Sequence, residues 1–106
     1  MKIEFIKFSE NSAFVQGLVN DGEYHFEARL QDEPNEQYGI QQGRVTGLAI
    51  STGNSWQGFN TCIVNYDRGW DIEPWNQQDY NLFEMVLAFL DMAPKRFGGE
   101  ELAIYH

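Results

Sequence analysis

The sequence predicts an α+β domain: an antiparallel sheet of four to five strands with one C-terminal α-helix, at about residues 77–93, packed on one face. Three observations support this class. Runs of apolar and polar residues, separated by turn-forming segments, fill the first two thirds of the chain and are typical of antiparallel strands. The hairpin signal Asn20-Asp21-Gly22 lies between two such runs. A single long apolar run follows Pro74 and has the length of a helix.

The predicted strands differ in how clearly apolar and polar residues alternate along them. In Lys2–Phe8 the apolar residues change sides between Phe5 and Ile6, which predicts a bulge or a strand covered on both faces. The strand after the hairpin turn alternates cleanly, with Tyr24, Phe26, Ala28 and Leu30 on one side and His25, Glu27, Arg29 and Gln31 on the other. That pattern predicts a half-buried strand with one wet face. The remaining strands are predicted at 13–19, 44–51 and 59–66.

Two long loops interrupt the strands. The first, over 32–43, is acidic and turn-like, and loops of this length are more often functional or mobile than idle. The second, over 51–58, carries Trp56 at its centre. Two interpretations of Trp56 stay open: it stacks on a sugar or base, or it folds back onto the sheet.

The helix signal begins at Asn76, whose side chain is suited to cap a helix N-terminus, and Asp79 suits the first turn. The run 82–93 is apolar apart from Glu84 and Asp91, so the helix must bury more than one side. Either the loops and the C-terminal tail cover it, or it packs against a second copy of the chain. The face predicted for such a homodimer consists of Met85, Phe89 and Met92.

Length and composition limit the classes of function. A chain of 106 residues is expected to be a single domain, residues 1–106, and its 15% aromatic content excludes a disordered acidic chain. Sixteen Asp and Glu against seven Lys and Arg give a formal net charge of −9. Such a charge repels phosphates, so we expect no direct binding to nucleic acid and none to anionic membranes.

The single cysteine, Cys62, has no partner for an internal disulfide, so nothing requires an oxidising compartment. The N-terminal segment lacks the apolar core of a signal peptide, and the longest apolar run, 85–90, is far shorter than the roughly 20 residues that span a bilayer. After Gly98-Gly99, the tail 102–105 is expected to add an edge strand or to pack down. We expect a cytoplasmic protein.

No catalytic motif is found in the sequence. His25 and His106 lack partners at metal-ligand spacing, and no nucleophile elbow, phosphate-binding loop or dinucleotide fingerprint occurs. We therefore expect no enzyme activity, no cofactor and no metal site.

The segment 65–75 is the most informative, because it places two Asp, one Glu, one Arg, one Tyr and two Trp around a glycine turn. One interpretation is structural: Asp67 bonds turn amides, Arg68 pairs with a carboxylate, and the tryptophans cover the core. Another is a recognition surface, since Trp, Tyr and Arg often anchor binding sites. The candidate binding residues are Arg44, Trp56, Tyr66, Asp67, Arg68, Trp70, Asp71 and Trp75.

Arg44 has two further interpretations. If its strand neighbours the strand 59–66, Arg44 forms an ion pair with Asp67 or Asp71 at the end of the sheet. Alternatively, it presents a fixed guanidinium to an anionic ligand.

Two segments stand out together: Tyr38-Gly39-Ile40-x-x-Gly43-Arg44-Val45-Thr46-x-Leu48, and Asn65-Tyr66-Asp67-Arg68-Gly69-Trp70-Asp71 with Pro74 three residues later. They resemble an uncharacterised family of small domains of bacteria and their phages or mobile elements. The resemblance spans about residues 17–90 and leaves out the acidic loop 31–37 and the tail beyond 96. It implies that Arg44 and the segment 65–71 are the family's hallmark, and it implies no known activity.

Three classes of function remain open. The first is a non-catalytic accessory domain that binds a protein partner; its sharper form is an acidic inhibitor or immunity-type protein of a nucleic-acid enzyme. In the first class, the acidity either serves binding or only keeps the protein soluble. The second is a binder of small molecules or carbohydrates that uses a cluster of Trp56, Trp70 and Trp75 around Arg44. The third is a hydrolase that uses Asp67, Asp71 or Glu73.

Overall fold

The fold of residues 1–96, the part of the chain that the computed structural model describes, consists of six strands and one α-helix. The elements are β1 (Ile3–Lys7), β2 (Phe14–Val19), β3 (Tyr24–Leu30), β4 (Val45–Thr52), β5 (Cys62–Asp67), β6 (Trp70–Ile72) and α1 (Gln77–Asp91). The strands form one antiparallel sheet in chain order. The α+β class is confirmed, with β6 as a strand beyond the four or five expected. The expectations for Gly98-Gly99, the tail 102–105 and His106 lie outside the described residues.

The irregularity predicted in β1 is a bulge. The register of β1 against β2 shifts between Phe5 and Lys7. Ile6 is 53% exposed, whereas Phe5 and Phe8 both pack against the core. The extra residue therefore lets two phenylalanines of opposite parity reach the same side of the sheet.

The β2–β3 hairpin closes at the predicted turn. Val19 pairs with Tyr24. Between them, Asn20, Asp21 and Gly22 have φ angles of 52°, 59° and 112°. Asn, Asp and Gly adopt positive φ at the lowest cost, which is why this tripeptide is a strong turn signal.

The core lies between one face of the sheet and α1. The helix begins as predicted, because the Asn76 side chain accepts a hydrogen bond from the Asp79 amide at 2.8 Å. It ends at Asp91 rather than at residue 93. Its buried residues are Leu82, Phe83, Val86, Leu87 and Leu90. They pack against side chains such as Phe26, Leu30, Ile50 and Val64 from the strands.

The polar stripe of α1 lies against the loop between β3 and β4. Gln41 Nε2 donates a hydrogen bond to Glu84 Oε1 at 2.7 Å. The backbone amide of Arg44 donates to Asp91 Oδ1 at 3.2 Å. This loop therefore covers one flank of the helix, as one of the two interpretations expected.

Arg44 fastens the same loop to the C-terminal end of α1. Its Nη1 donates to the backbone oxygens of Asp91, at 2.8 Å, and Ala93, at 2.6 Å. Its Nε donates to the oxygen of Gln31 at 2.9 Å. Only 8% of Arg44 is exposed. A cation placed here satisfies carbonyls that have no partner within the helix and lies at the negative end of the helix dipole.

The expected ion pair between Arg44 and Asp67 or Asp71 is therefore wrong. β4 does pair with β5, and Gly47 lies opposite Asp67. However, Arg44 precedes β4 and extends beyond the end of β5, where the helix carbonyls receive its guanidinium. Because the Arg44 guanidinium is buried and already bonded to these carbonyls, it is not accessible to an anionic ligand.

A second buried arginine, Arg96, fastens the segment that follows α1. Its amide donates to Asp32 Oδ1 at 2.8 Å. Its guanidinium donates to the oxygens of Ser12, at 2.7 Å, and of Leu30, and lies 4.8 Å from the centre of the Phe8 ring. Burial lowers the pKa of Arg96 from its ordinary value, which is too high for loss of the charge near neutral pH.

Replacing Arg44 by Met keeps most of the apolar stem and removes the donors. We expect the free energy of unfolding to fall by about 3 kcal/mol, because buried carbonyls at the end of α1 lose their partner. Urea denaturation followed by circular dichroism measures this loss. Arg29→Met, at an exposed position of β3, is the matched control and should change stability by less than about 0.5 kcal/mol. Equal losses in the two variants would contradict the role of Arg44.

Candidate functional site

A groove of about 680 Å³ lies between β6, the segment that follows it, and the N-terminal half of α1. We call it the aromatic groove. Its aromatic lining consists of Tyr66, Trp70, Trp75, Tyr80 and Phe83. Its polar lining consists of Gln41, Glu73, Asn76 and Gln77. A concave site with several aromatic rings and a few polar groups is the usual form of a ligand site.

Trp70 forms the centre of the groove wall. Its ring centroid lies 5.1 Å from that of Tyr66, its partner on β5, and 5.3 Å from that of Phe83 on α1. Both contacts are edge-to-face, the arrangement that aromatic quadrupoles favour. Trp70 remains 39% exposed. The sheet and the helix thus hold this indole in place while part of its surface stays open.

Two further rings are more exposed. Tyr80 stacks on Phe83, with 6.0 Å between centroids, and is 43% exposed. Trp75 follows Pro74 and is 90% exposed. An indole that packs so little against its own chain contributes little to the fold, so its surface is open to a ligand.

The turn between β5 and β6 directs Arg68 away from the expected carboxylate partner. Arg68 adopts a φ of 58°, and its guanidinium carbon lies 5.5 Å from the centre of the Tyr38 ring. The hydroxyl of Tyr66 donates to the backbone oxygen of Tyr38 at 2.9 Å. An aromatic ring therefore takes the place of the expected ion-pair partner.

The structure brings only part of the predicted site together. Tyr66, Trp70 and Trp75 line the aromatic groove. Asp67, Arg68 and Asp71 are exposed around the neighbouring turn and do not line it.

Trp56 and Arg44 lie elsewhere. Trp56, in the β4–β5 loop, packs edge-to-face on Phe59 at 5.2 Å between centroids and is 39% exposed. Arg44 is buried at the opposite end of α1 from the groove. The predicted cluster of three tryptophans around Arg44 is therefore wrong.

Sequence reasoning missed the contribution of α1 to the groove. Tyr80 and Phe83 both fall in the predicted helix, three residues apart, and so share a face. Their closeness to Trp75 in the chain was the available signal. The sequence offers no such signal for Gln41, because only the folded loop brings this residue to the helix.

The predicted dimer face is divided between surface and core. Met85 and Met92 are 42% and 84% exposed. Phe89 instead packs on Phe5, with ring centroids 4.9 Å apart. A homodimer through the two methionines stays a prediction.

The face of β3 expected to be wet is partly buried. His25 is only 4% exposed; its Nδ1 lies 3.4 Å from Ser51 Oγ and its Nε2 lies 3.6 Å from Glu27 Oε2. A carboxylate, an imidazole and a hydroxyl are the components of a hydrolytic triad. Ser51, however, is 1% exposed, so its hydroxyl is closed to a substrate. The contact between His25 and Ser51 instead joins β3 to β4, where these two residues are paired.

Residues 13–91 match a family described as a domain of unknown function, DUF7678. The chain belongs to this family. Membership of an uncharacterised family is thereby confirmed, over a range that also includes the loop 31–37. No curated protein and no solved structure matches the chain.

The DUF7678 match contains β2 to β6 and α1, and therefore the whole aromatic groove. β1 and Arg96 lie outside it. Within residues 1–96, no group of three or more His, Cys, Asp or Glu side chains is placed to hold a metal ion. None of the helices in this part of the DUF7678 protein has the length and apolar character needed to cross a membrane.

Burial raises the pKa of the Cys62 thiol, which also donates to the backbone oxygen of Val64 at 3.0 Å. A raised pKa lowers the thiolate fraction at neutral pH, and the thiolate is the reactive form. We therefore expect iodoacetamide to alkylate the native protein more slowly than the urea-unfolded protein at the same pH. Mass spectrometry counts the single adduct over time. Equal rates in the two states would contradict a protected thiol.

Proposed function

We propose that this protein is a non-catalytic domain that binds a protein partner through the aromatic groove. The observation that carries the proposal is the exposure of Trp70, Trp75 and Tyr80 along one concave surface. Exposed aromatic side chains that line a cavity are characteristic of interaction sites, where Trp and Tyr supply much of the binding energy.

The polar composition of the groove supports binding rather than catalysis. Glu73 is its one carboxylate, and no His, Cys, Lys or Arg side chain among the described residues lines it. General acid–base chemistry commonly uses two groups whose pKa values are set apart, and the groove offers no such pair of carboxylates or imidazoles.

The acidic-inhibitor hypothesis is a narrower form of the same proposal. Asp67 and Asp71 lie exposed beside the groove, and the chain carries a net charge of −9. A basic partner would associate rapidly and in a salt-dependent manner with such a surface. We also propose that the protein is cytoplasmic and that its family includes small domains of mobile elements.

The proposal is tested by affinity capture with three tagged baits: wild type, Trp75→Ala and Trp56→Ala. We expect a partner that is retained by wild type and by Trp56→Ala, and whose retention falls about tenfold or more with Trp75→Ala. Quantitative mass spectrometry of the eluates measures the ratio, and elution in rising salt steps tests the basic character of the partner.

Trp75 is suited to this test because it is 90% exposed. The midpoint of urea unfolding of Trp75→Ala should therefore equal that of wild type, which separates lost binding from lost folding. Capture that is equal for Trp75→Ala and wild type would contradict the proposal. So would the absence of any protein retained above background by wild type.

A further inference from the structure

We propose that the aromatic groove accepts a cationic side chain, an arginine or lysine presented by the partner. This inference rests on the proposed function and specifies the chemistry of its ligand. The charge comes to lie near Glu73, and the aliphatic stem packs against the exposed rings.

The charge of the groove excludes an anionic ligand and favours a cationic one. Its lining contains the carboxylate of Glu73 and, among the described residues, no basic side chain. In the neighbouring turn, the exposed carboxylates of Asp67 and Asp71 outnumber the guanidinium of Arg68 and add to the negative potential. The net charge of −9 strengthens it further.

Each amide side chain that lines the groove already makes a hydrogen bond within the protein. Gln41 Nε2 donates to Glu84 Oε1 at 2.7 Å. Gln77 Nε2 donates to Asn81 Oδ1 at 2.8 Å, and the Asn76 side-chain oxygen accepts from a helix amide.

Glu73 differs from these amides. No hydrogen bond or ion pair joins its side chain to another described residue. The Glu73 carboxylate is thus the charged group that the groove offers to a ligand, and its natural partner is a guanidinium or an ammonium.

The rings provide the second half of the recognition. Indole faces attract cations more strongly than other aromatic side chains do, and Trp70 and Trp75 both line the groove with exposed surface. Arginine and lysine also carry an apolar stem that packs on aromatic surface while the charged head stays near water. The same chain pairs a guanidinium with a ring elsewhere, at Arg68 and Tyr38.

A carbohydrate is the alternative occupant, since sugars stack on indoles. Sugars also need several hydrogen bonds to fixed polar groups, and each amide of this groove already uses one of its polar atoms on a neighbouring side chain or the backbone. The observations therefore favour the cation.

The test uses peptide probes and the indole N–H signals of the three tryptophans in two-dimensional NMR. The probes are acetyl-Gly-Arg-Gly-amide, its lysine counterpart, and the citrulline peptide, which keeps the shape of arginine without the charge. We expect the arginine and lysine peptides to shift the signals of Trp70 and Trp75 and not that of Trp56. The citrulline peptide should bind at least about fivefold more weakly.

Two variants test whether Glu73 is the carboxylate that binds the cationic side chain. Glu73→Gln should lower the affinity for the arginine peptide about fivefold and leave the affinity for the citrulline peptide unchanged. Glu10→Gln removes an exposed carboxylate in the β1–β2 turn, outside the groove, and should change neither. This pair separates a local contact from the effect of net charge.

Three results would overturn the inference. They are equal affinity for the citrulline and arginine peptides, unchanged arginine affinity in Glu73→Gln, or no shift of Trp70 and Trp75 with either cationic peptide. A shift of these signals by an oligosaccharide but not by the cationic peptides is a form of the third. None of these results affects the capture experiment with Trp75→Ala, so the failure of this inference and that of the proposed function are distinguishable.

Discussion

The position of α1 on the sheet depends on a buried cation at its C-terminal end. The last turn of the helix contains no basic residue and contains Asp91, which by itself opposes the helix dipole. Arg44, from the chain that enters β4, supplies the missing positive charge and binds the carbonyls of Asp91 and Ala93. One side chain thus satisfies the helix end and holds the long loop against the helix flank. With that end fixed and the apolar face on the sheet, the N-terminal half of α1 lies opposite β6.

The aromatic groove follows from this arrangement and from the shortness of β6. β6 has three residues, so the chain leaves the sheet at Ile72 and reaches α1 through the segment 73–76. This crossing forms one side of the groove, and the first turns of α1 form the other. Trp70 is held between both, because its ring contacts Tyr66 from the sheet and Phe83 from the helix. The site is therefore built from residues that also join the two layers.

Local signals in the sequence were sufficient for most of the fold. The β1 bulge, the turn at Asn20-Asp21-Gly22 and the Asn76 cap each depend on a few consecutive residues, and each is present in the structure. The role of Arg44 and the burial of His25 were not predictable in this way, because they depend on which strands and loops meet. Only part of the groove could be predicted. The sequence identifies Trp70 and Trp75 as candidate binding residues, whereas the wall formed by α1 exists only when β6 and α1 pack together.

The two outer strands of the sheet have a consequence for how a partner can attach. An unpaired strand edge normally offers a row of amides and carbonyls on which another strand can add. Here β1 is interrupted by its bulge, is preceded by Lys2 and ends at Lys7, while β6 has only three residues with which to pair. Among residues 1–96, neither edge gives a second chain a continuous backbone template, which disfavours sheet-to-sheet aggregation. In the proposed binding mode, side chains rather than strand addition would therefore carry the recognition of a partner.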